Sequence, residues 1–164
     1  MNIRPVTSLH PNGQRVRVAL DRCGVSSPIV ETLDPSPTAV AAAAQLDIDI
    51  GQVANSLVFD VDGDPILIMT SGAHRVDTRR LAQFLGANEV RRPDAAFVRI
   101  HTGQPIGGVA PVGHPTPLRT IVDTKLGDWP IVWAAGGHPH YVFATSFDEL
   151  LRITNGVPFT VAED

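Results

Sequence analysis

The run Val53-Ala54-Asn55-Ser56-Leu57-Val58-Phe59-Asp60-Val61-Asp62-Gly63-Asp64-Pro65-Ile66-Leu67-Ile68-Met69-Thr70 decides the fold class. Two aliphatic and β-branched segments, Val53 to Val61 and Pro65 to Thr70, are separated by Asp-Gly. A tight hairpin turn needs positive φ at its centre, which Asp and Gly tolerate, so the pattern predicts a β-hairpin.

Upstream of the hairpin, Asp49 to Gln52 reads as a turn. Before it the alanine-rich segment Thr38 to Leu46 reads as a helix, with Ser36 as N-cap and Pro37 at the first helical position. Pro28 to Leu33 is a short strand. Gln14 to Cys23 carries Val16, Ala19, Leu20 and Cys23 at helical spacing, with Gly24 as its stop. Residues 1–12 read as an irregular lead-in. Downstream, Asp77 caps a helix over Val76 to Leu85 that Gly86 ends, Glu89 to Arg92 is a brief strand, and Pro93-Asp94 starts a helix with Ala96, Phe97 and Ile100 inward. Leu118 to Asp123, Ile131 to Ala135 and Tyr141 to Thr145 are strands, and Ser146 caps a last helix over Phe147 to Ile153. Asn155-Gly156 ends that helix, and Val157 to Asp164 is a tail. Strands grouped in hairpins among scattered helices predict a single mixed α/β domain over 1–164. Its sheet is expected to be largely antiparallel and curled toward a barrel, and not doubly wound.

Composition narrows the function classes. The 164 residues are 43% hydrophobic and 18% charged, enough for one sizeable core. No basic leader followed by an apolar run opens the chain, and no window of eighteen apolar residues occurs, so the expectation is a cytoplasmic protein without a membrane partner. A net charge of -4 argues against nonspecific coating of nucleic acid. Twelve of the thirteen basic residues are arginine, and Arg75, Arg79, Arg80, Arg91, Arg92 and Arg99 cluster in one quarter of the chain; arginine's planar fork suits phosphate. Cys23 is the only cysteine and reads as a structural thiol, which leaves no disulfide and no cysteine-based zinc site.

The chemistry-bearing stretch is Gly107-Gly108-Val109-Ala110-Pro111-Val112-Gly113-His114-Pro115, a loop of bare peptide groups able to approach a ligand closely. Gly108 to Gly113 has P-loop glycine spacing, but His114 and Pro115 stand where Lys and Ser or Thr belong, and no GxGxxG is present, so neither a P-loop nor a dinucleotide site is expected. No GxSxG elbow occurs, and Ser56 and Ser71 lack an evident base. His101, His114, His138 and His140 raise a metal hypothesis, yet no carboxylate or HExxH completes a site, and no metal or cofactor is expected. Asp77 and Asp123 read as a cap and a strand end; Trp129 and Trp133 read as packing residues.

Taken in order, several segments resemble the YbaK/ProX-type aminoacyl-tRNA deacylases, relatives of the editing domain inserted in bacterial prolyl-tRNA synthetases. They are Thr38 with Ala42, Val53 to Phe59 with the Asp-Gly hairpin, Arg75-Val76-Asp77 with Leu81 and Leu85-Gly86, Gly107 to His114, Ala135-Gly136-Gly137, and Asp148-Glu149-Leu150-Leu151. The resemblance implies hydrolysis of the ester joining a wrong amino acid to a tRNA, with the aminoacylated 3′ end and an aminoacyl-tRNA synthetase as partners. It implies that the Gly107-x3-Pro111 loop lines the pocket; with the residue reading, the expected pocket wall is Gly107, Gly108, Val109, Pro111, Gly113, His114, Gly136 and Gly137, and Arg75, Arg79 and Arg80 are expected on the tRNA. Active members of that family carry lysine where this chain has Asn55, followed here by Ser56. Asn55 and Ser56 are therefore expected to orient the ester or its water, assisted by His138, with Arg75 a substitute source of charge. A lapsed enzyme of the same fold that binds an aminoacyl or adenosine-like ligand, or a synthetase, is the alternative.

Overall fold

The hairpin forms at the expected turn, with Asp62 at φ 51° and Gly63 at φ 93°. In the computed structural model, which describes residues 1–163, its strands are the longest of the molecule. In chain order the elements are β1 (Ile3–Pro5), α1 (Pro11–Arg22), β2 (Val30–Thr32), α2 (Ala39–Leu46), β3 (Val53–Val61), β4 (Asp64–Ser71) and α3 (Thr78–Leu85). There follow β5 (Val90–Arg91), α4 (Ala95–Thr102), β6 (Arg119–Asp123), β7 (Val132–Ala135), β8 (Tyr141–Thr145), α5 (Phe147–Thr154) and β9 (Val157–Phe159). Short 3-10 turns precede β3 at Ile50–Gln52 and follow β6 at Thr124–Asp128.

The strands make one sheet in the order β1-β2-β8-β7-β3-β4-β6-β9, with β5 also on β3. The pairs β3–β7, β4–β6 and β6–β9 are parallel and the rest antiparallel, which is the mixed, largely antiparallel sheet expected. It stays open, with β1 and β9 at its two ends. Both faces of the central hairpin are covered. Ala54, Val58, Leu67 and Met69 face a core shared with Val16 and Leu20 of α1, and Phe59, Val61, Ile66 and Ile68 face a second core with Leu81 of α3. That double burial is why the hairpin reads as continuous apolar runs. Each of these Val, Leu, Ile, Met and Phe side chains contributes roughly 1.5–3 kcal/mol.

One edge of β3 is interrupted. Val53 and Ala54 pair with Trp133 and Ala134 of β7, and Asp60 and Val61 pair with Arg91 and Val90 of β5. Between them, among the described residues, no strand lies beside Asn55 to Phe59 on that side.

Several local expectations are corrected. Helix α1 starts at Pro11, not Gln14, because proline suits the first turn and His10 Nδ1 accepts from Asn12 N at 3.1 Å. Thr38, not Ser36, caps α2, accepting from Ala41 N at 3.2 Å. Ser36 is buried instead, its hydroxyl donating to Pro139 O at 3.0 Å, so tertiary contact overrides its capping preference. In α4 the inward residues are Val98 and Thr102, one turn apart, while Ile100 is 72% exposed and Ala96 is on the surface. The C-terminal tail contains β9, paired in parallel with β6, and Val161 is fully buried.

Candidate functional site

The interruption in β3 opens onto a cleft. A cavity of about 260 Å³ is bounded by Asn55, Ser56, Leu57 and Val58 of β3, by Pro37, Thr38 and Ala39 at the start of α2, by Arg92-Pro93, and by Ile106, Gly107 and Val109. It continues into a recess of about 30 Å³ among Ala42, Leu46, Val53, Ala54 and Ala134. On its other flank Asn55 borders a surface cavity of about 400 Å³ that also contains His74, Arg75 and Arg92. Asn55 thus stands where three spaces meet.

Successive side chains of a strand point to opposite faces. Asn55 shares a face with Val53 and Leu57. Ser56 lies on the other, opposite Met69, where its hydroxyl sits 3.2 Å from the Met69 sulfur. The two flank the open edge from either side.

The glycine loop is held by a residue that the sequence did not single out. Gln104, 1% exposed, accepts from Ala110 N at 2.7 Å through Oε1. Gly108 N donates to Pro105 O at 3.0 Å. Two of the expected peptide donors are therefore occupied internally, and Gly107 and Val109 are the loop residues that line the cleft. Gly107 has φ 87°, and a Cβ there would lie 2.8 Å from Pro37 Cβ, so the loop touches the entry of α2 across the cleft. Only glycine permits both the conformation and the approach.

The rest of the predicted pocket wall is dispersed. Pro111, Gly113 and His114 line a different and larger cavity of about 630 Å³ against α1, with Val18, Ala19 and Leu118. Size alone does not make that cavity the site, because the cleft at Asn55 is where an interrupted strand edge, a positive-φ glycine and a helix start converge. Gly108, Gly136 and Gly137 are contact glycines: a Cβ on Gly108 would lie 2.9 Å from His138 C, on Gly136 3.0 Å from Tyr141 Cβ, and on Gly137 3.0 Å from Val16 Cγ2.

His138 sits at that corner with its ring packed among His10, His140 and Tyr141, at centroid distances of 5.3, 5.7 and 4.8 Å. Its Nδ1 accepts from His140 N at 3.1 Å. The lone pair a general base would use is thus engaged, and burial, then the neighbouring histidines, pushes its pKa below the ordinary value. His114 donates from Nε2 to Ala110 O at 2.7 Å, and burial lowers its pKa too, partly opposed by that bond.

Of the predicted tRNA arginines, Arg75 is exposed beside Asn55. Its backbone is steadied by the preceding His74, whose Nδ1 lies 2.8 Å from the buried Asp123 carboxylate. Asp123 also accepts from Ser71 N and Lys125 N, both at 3.1 Å. Arg80 is committed to the C-terminal segment, donating to Thr160 O at 2.7 Å, and Arg79 is exposed on α3. Arg92, not among the predicted contacts, borders both spaces around Asn55 with its guanidinium 5.6 Å from the centre of the Phe59 ring. Among the described residues no acidic side chain lines these spaces. Among the described residues no group of three metal-ligating side chains occurs.

Residues 34–153 match the family model of the aminoacyl-tRNA editing domain. The chain belongs to that family. This editing-domain chain is similar to a solved protein proposed as a trans-editing enzyme for prolyl tRNA synthetase, with 37% identity, a TM-score of 0.89, and coverage of 96% of this chain and 100% of the other. It is similar also to a scaffold protein from computational epitope grafting, at 34% identity and a TM-score of 0.87 over 95% of this chain and 99% of that one. Among curated relatives, the proline--tRNA ligase of Streptococcus equi subsp. equi (strain 4047) is 27% identical over 77% of this chain and 20% of its own length. The chain therefore spans about a fifth of the ligases it matches. Among the described residues no helix is long and apolar enough to cross a membrane.

Proposed function

We propose that this editing-domain chain hydrolyses, in trans, the ester of a tRNA mischarged with a small amino acid. The observation that carries the proposal is the cleft at the interrupted edge of β3, with its recess of about 30 Å³. One or two water-sized volumes fit there, which suits a side chain of one or two heavy atoms. The aminoacyl ester would lie between Gly107 and Val109 on one side and Asn55 and Ser56 on the other. Arg75 and Arg92 would take the phosphate of the terminal nucleotide, supplying the positive charge that Asn55 lacks.

In the reaction water oxygen bonds to the ester carbon, the bond to the ribose oxygen breaks, and a proton from the water ends on that oxygen. Asn55 can orient the water or ester by neutral hydrogen bonds. Among the described residues no titratable side chain lines the recess, and proton transfer is assigned to the substrate's own ribose hydroxyl or to solvent. His138, with Nδ1 engaged, shapes the corner behind Gly108.

That absence of a base equally favours a second reading, a module that binds the aminoacyl end without cleaving it. The deciding experiment is hydrolysis of tRNAs carrying alanine, serine, threonine, cysteine and proline by the purified protein. Turnover of one small amino acid is expected. Silence across the panel from folded protein selects the binding module, and Asn55→Lys would then be expected to gain activity.

A further inference from the structure

The open edge of β3 has a polarity that can be worked out. Val61 and Asp64 flank the two-residue turn, so Val61 and every second residue before it turn their peptide groups toward β4. Gly72 N donates to Val53 O at 2.9 Å, in agreement. The intervening residues face the other way: Asp62 N, on the β5 side, donates to Glu89 O at 3.1 Å. By the same alternation the N–H and C=O of Ser56 and Val58 point into the interruption, where no strand lies and where both residues line the cleft.

In a parallel ladder, a single residue donates its N–H to one carbonyl of the neighbouring strand and accepts, through its own C=O, from the N–H two residues further on. β7 already runs parallel to β3 on this edge and stops pairing at Ala54. We infer that the vacant edge reads the amino acid itself: the α-ammonium of the aminoacyl ester donates to Ser56 C=O, and its ester carbonyl accepts from Val58 N–H. The amino acid thereby takes the place of a one-residue strand continuing β7, a minimal case of β-augmentation. Such recognition requires a free amine beside the ester carbonyl and is indifferent to the side chain, so selection by side chain is left to the recess beside Ala42 and Val53. The inference rests on the aminoacyl assignment of the cleft made above.

The test uses the complete chain, labelled with nitrogen-15, and 3′-deoxy-3′-(alanylamino)adenosine, whose amide is not hydrolysed under assay conditions. The Val58 amide, and the Leu57 amide nitrogen bonded to the Ser56 carbonyl, should shift on addition together with Gly107 and Val109. The propionyl analogue, which lacks the amine, should bind roughly tenfold more weakly and leave Leu57 unmoved. Shifts at Gly107 and Val109 without any at Val58 and Leu57 would overturn the edge assignment while leaving the cleft as the aminoacyl site. No shift at any amide at saturating compound would remove both. In turnover, Val58→Pro deletes the N–H without breaking a bond to β4, and a loss of about 10²–10³ in kcat/KM is expected with an unchanged circular dichroism spectrum. Should that variant not fold, the amide shifts of the unaltered protein decide.

Discussion

At Gly107 two constraints coincide: φ is 87°, and a Cβ at that position would lie 2.8 Å from Pro37 Cβ. Gly107→Ala is therefore expected to cost about 1–3 kcal/mol and to push the loop from α2, lowering turnover more than stability would explain. Urea denaturation set beside single-turnover hydrolysis separates the two. Gly108 differs: a Cβ there meets the backbone of His138 and Pro139, at 2.9 to 3.0 Å, and backbone cannot rotate away. His114 offers a pH test. Its pKa is lowered on folding, so the unfolded chain binds the proton more readily, and stability is full above the ordinary value of 6.5 and declines as pH falls through the folded one. His114→Gln is expected to flatten the fall in thermal midpoint below pH 6.5, and an unchanged slope would show that another group controls it.

The strand β6 ends in the side chain that ties the end of β4 to the segment carrying His74 and Arg75. Asp123, fully buried, takes its bonds from His74, Ser71 N and Lys125 N. Removing the carboxylate leaves those donors buried without it. Asp123→Ala is expected to cost about 3–5 kcal/mol, read from the denaturation midpoint, and to disorder the approach to Arg75. Helix α4 is a subtler case, since Phe97, Val98 and Ile100 are all apolar and only the packed structure shows Val98 and Thr102 inward.

Across the whole molecule, charge is unevenly used. The chain is net negative, yet Arg75 and Arg92 stand together beside Asn55 with no acid lining the space. Replacing either by Ala should weaken binding of tRNA 3′-end fragments and lower the slope of log K against log salt by about one each. Aminoacyl-adenosine without phosphate should bind both variants as it binds the parent. The C-terminal strand belongs to the same scale: deleting 157–163 removes β9 and the buried Val161, and a substantially lower thermal midpoint is expected.

Local chemistry sufficed for the hairpin at Asp62-Gly63, the caps at Asp77 and Ser146, and the attention drawn to Gly107, because each is written in residues close along the chain; Asn55 stands out only through the family resemblance, which rests on the order of segments from Thr38 to Leu151. Only the tertiary structure decided that Ser36 is buried and not a cap, and that Gln104 pins the loop from inside. It alone separated Pro111, Gly113 and His114 from the cleft and brought Arg92 beside Asn55. The vacant edge at Ser56 and Val58 is the clearest case. A strand's sequence specifies which side chains face which core, but which of its peptide groups go unpaired depends on where β5 and β7 stop, residues far away in the chain.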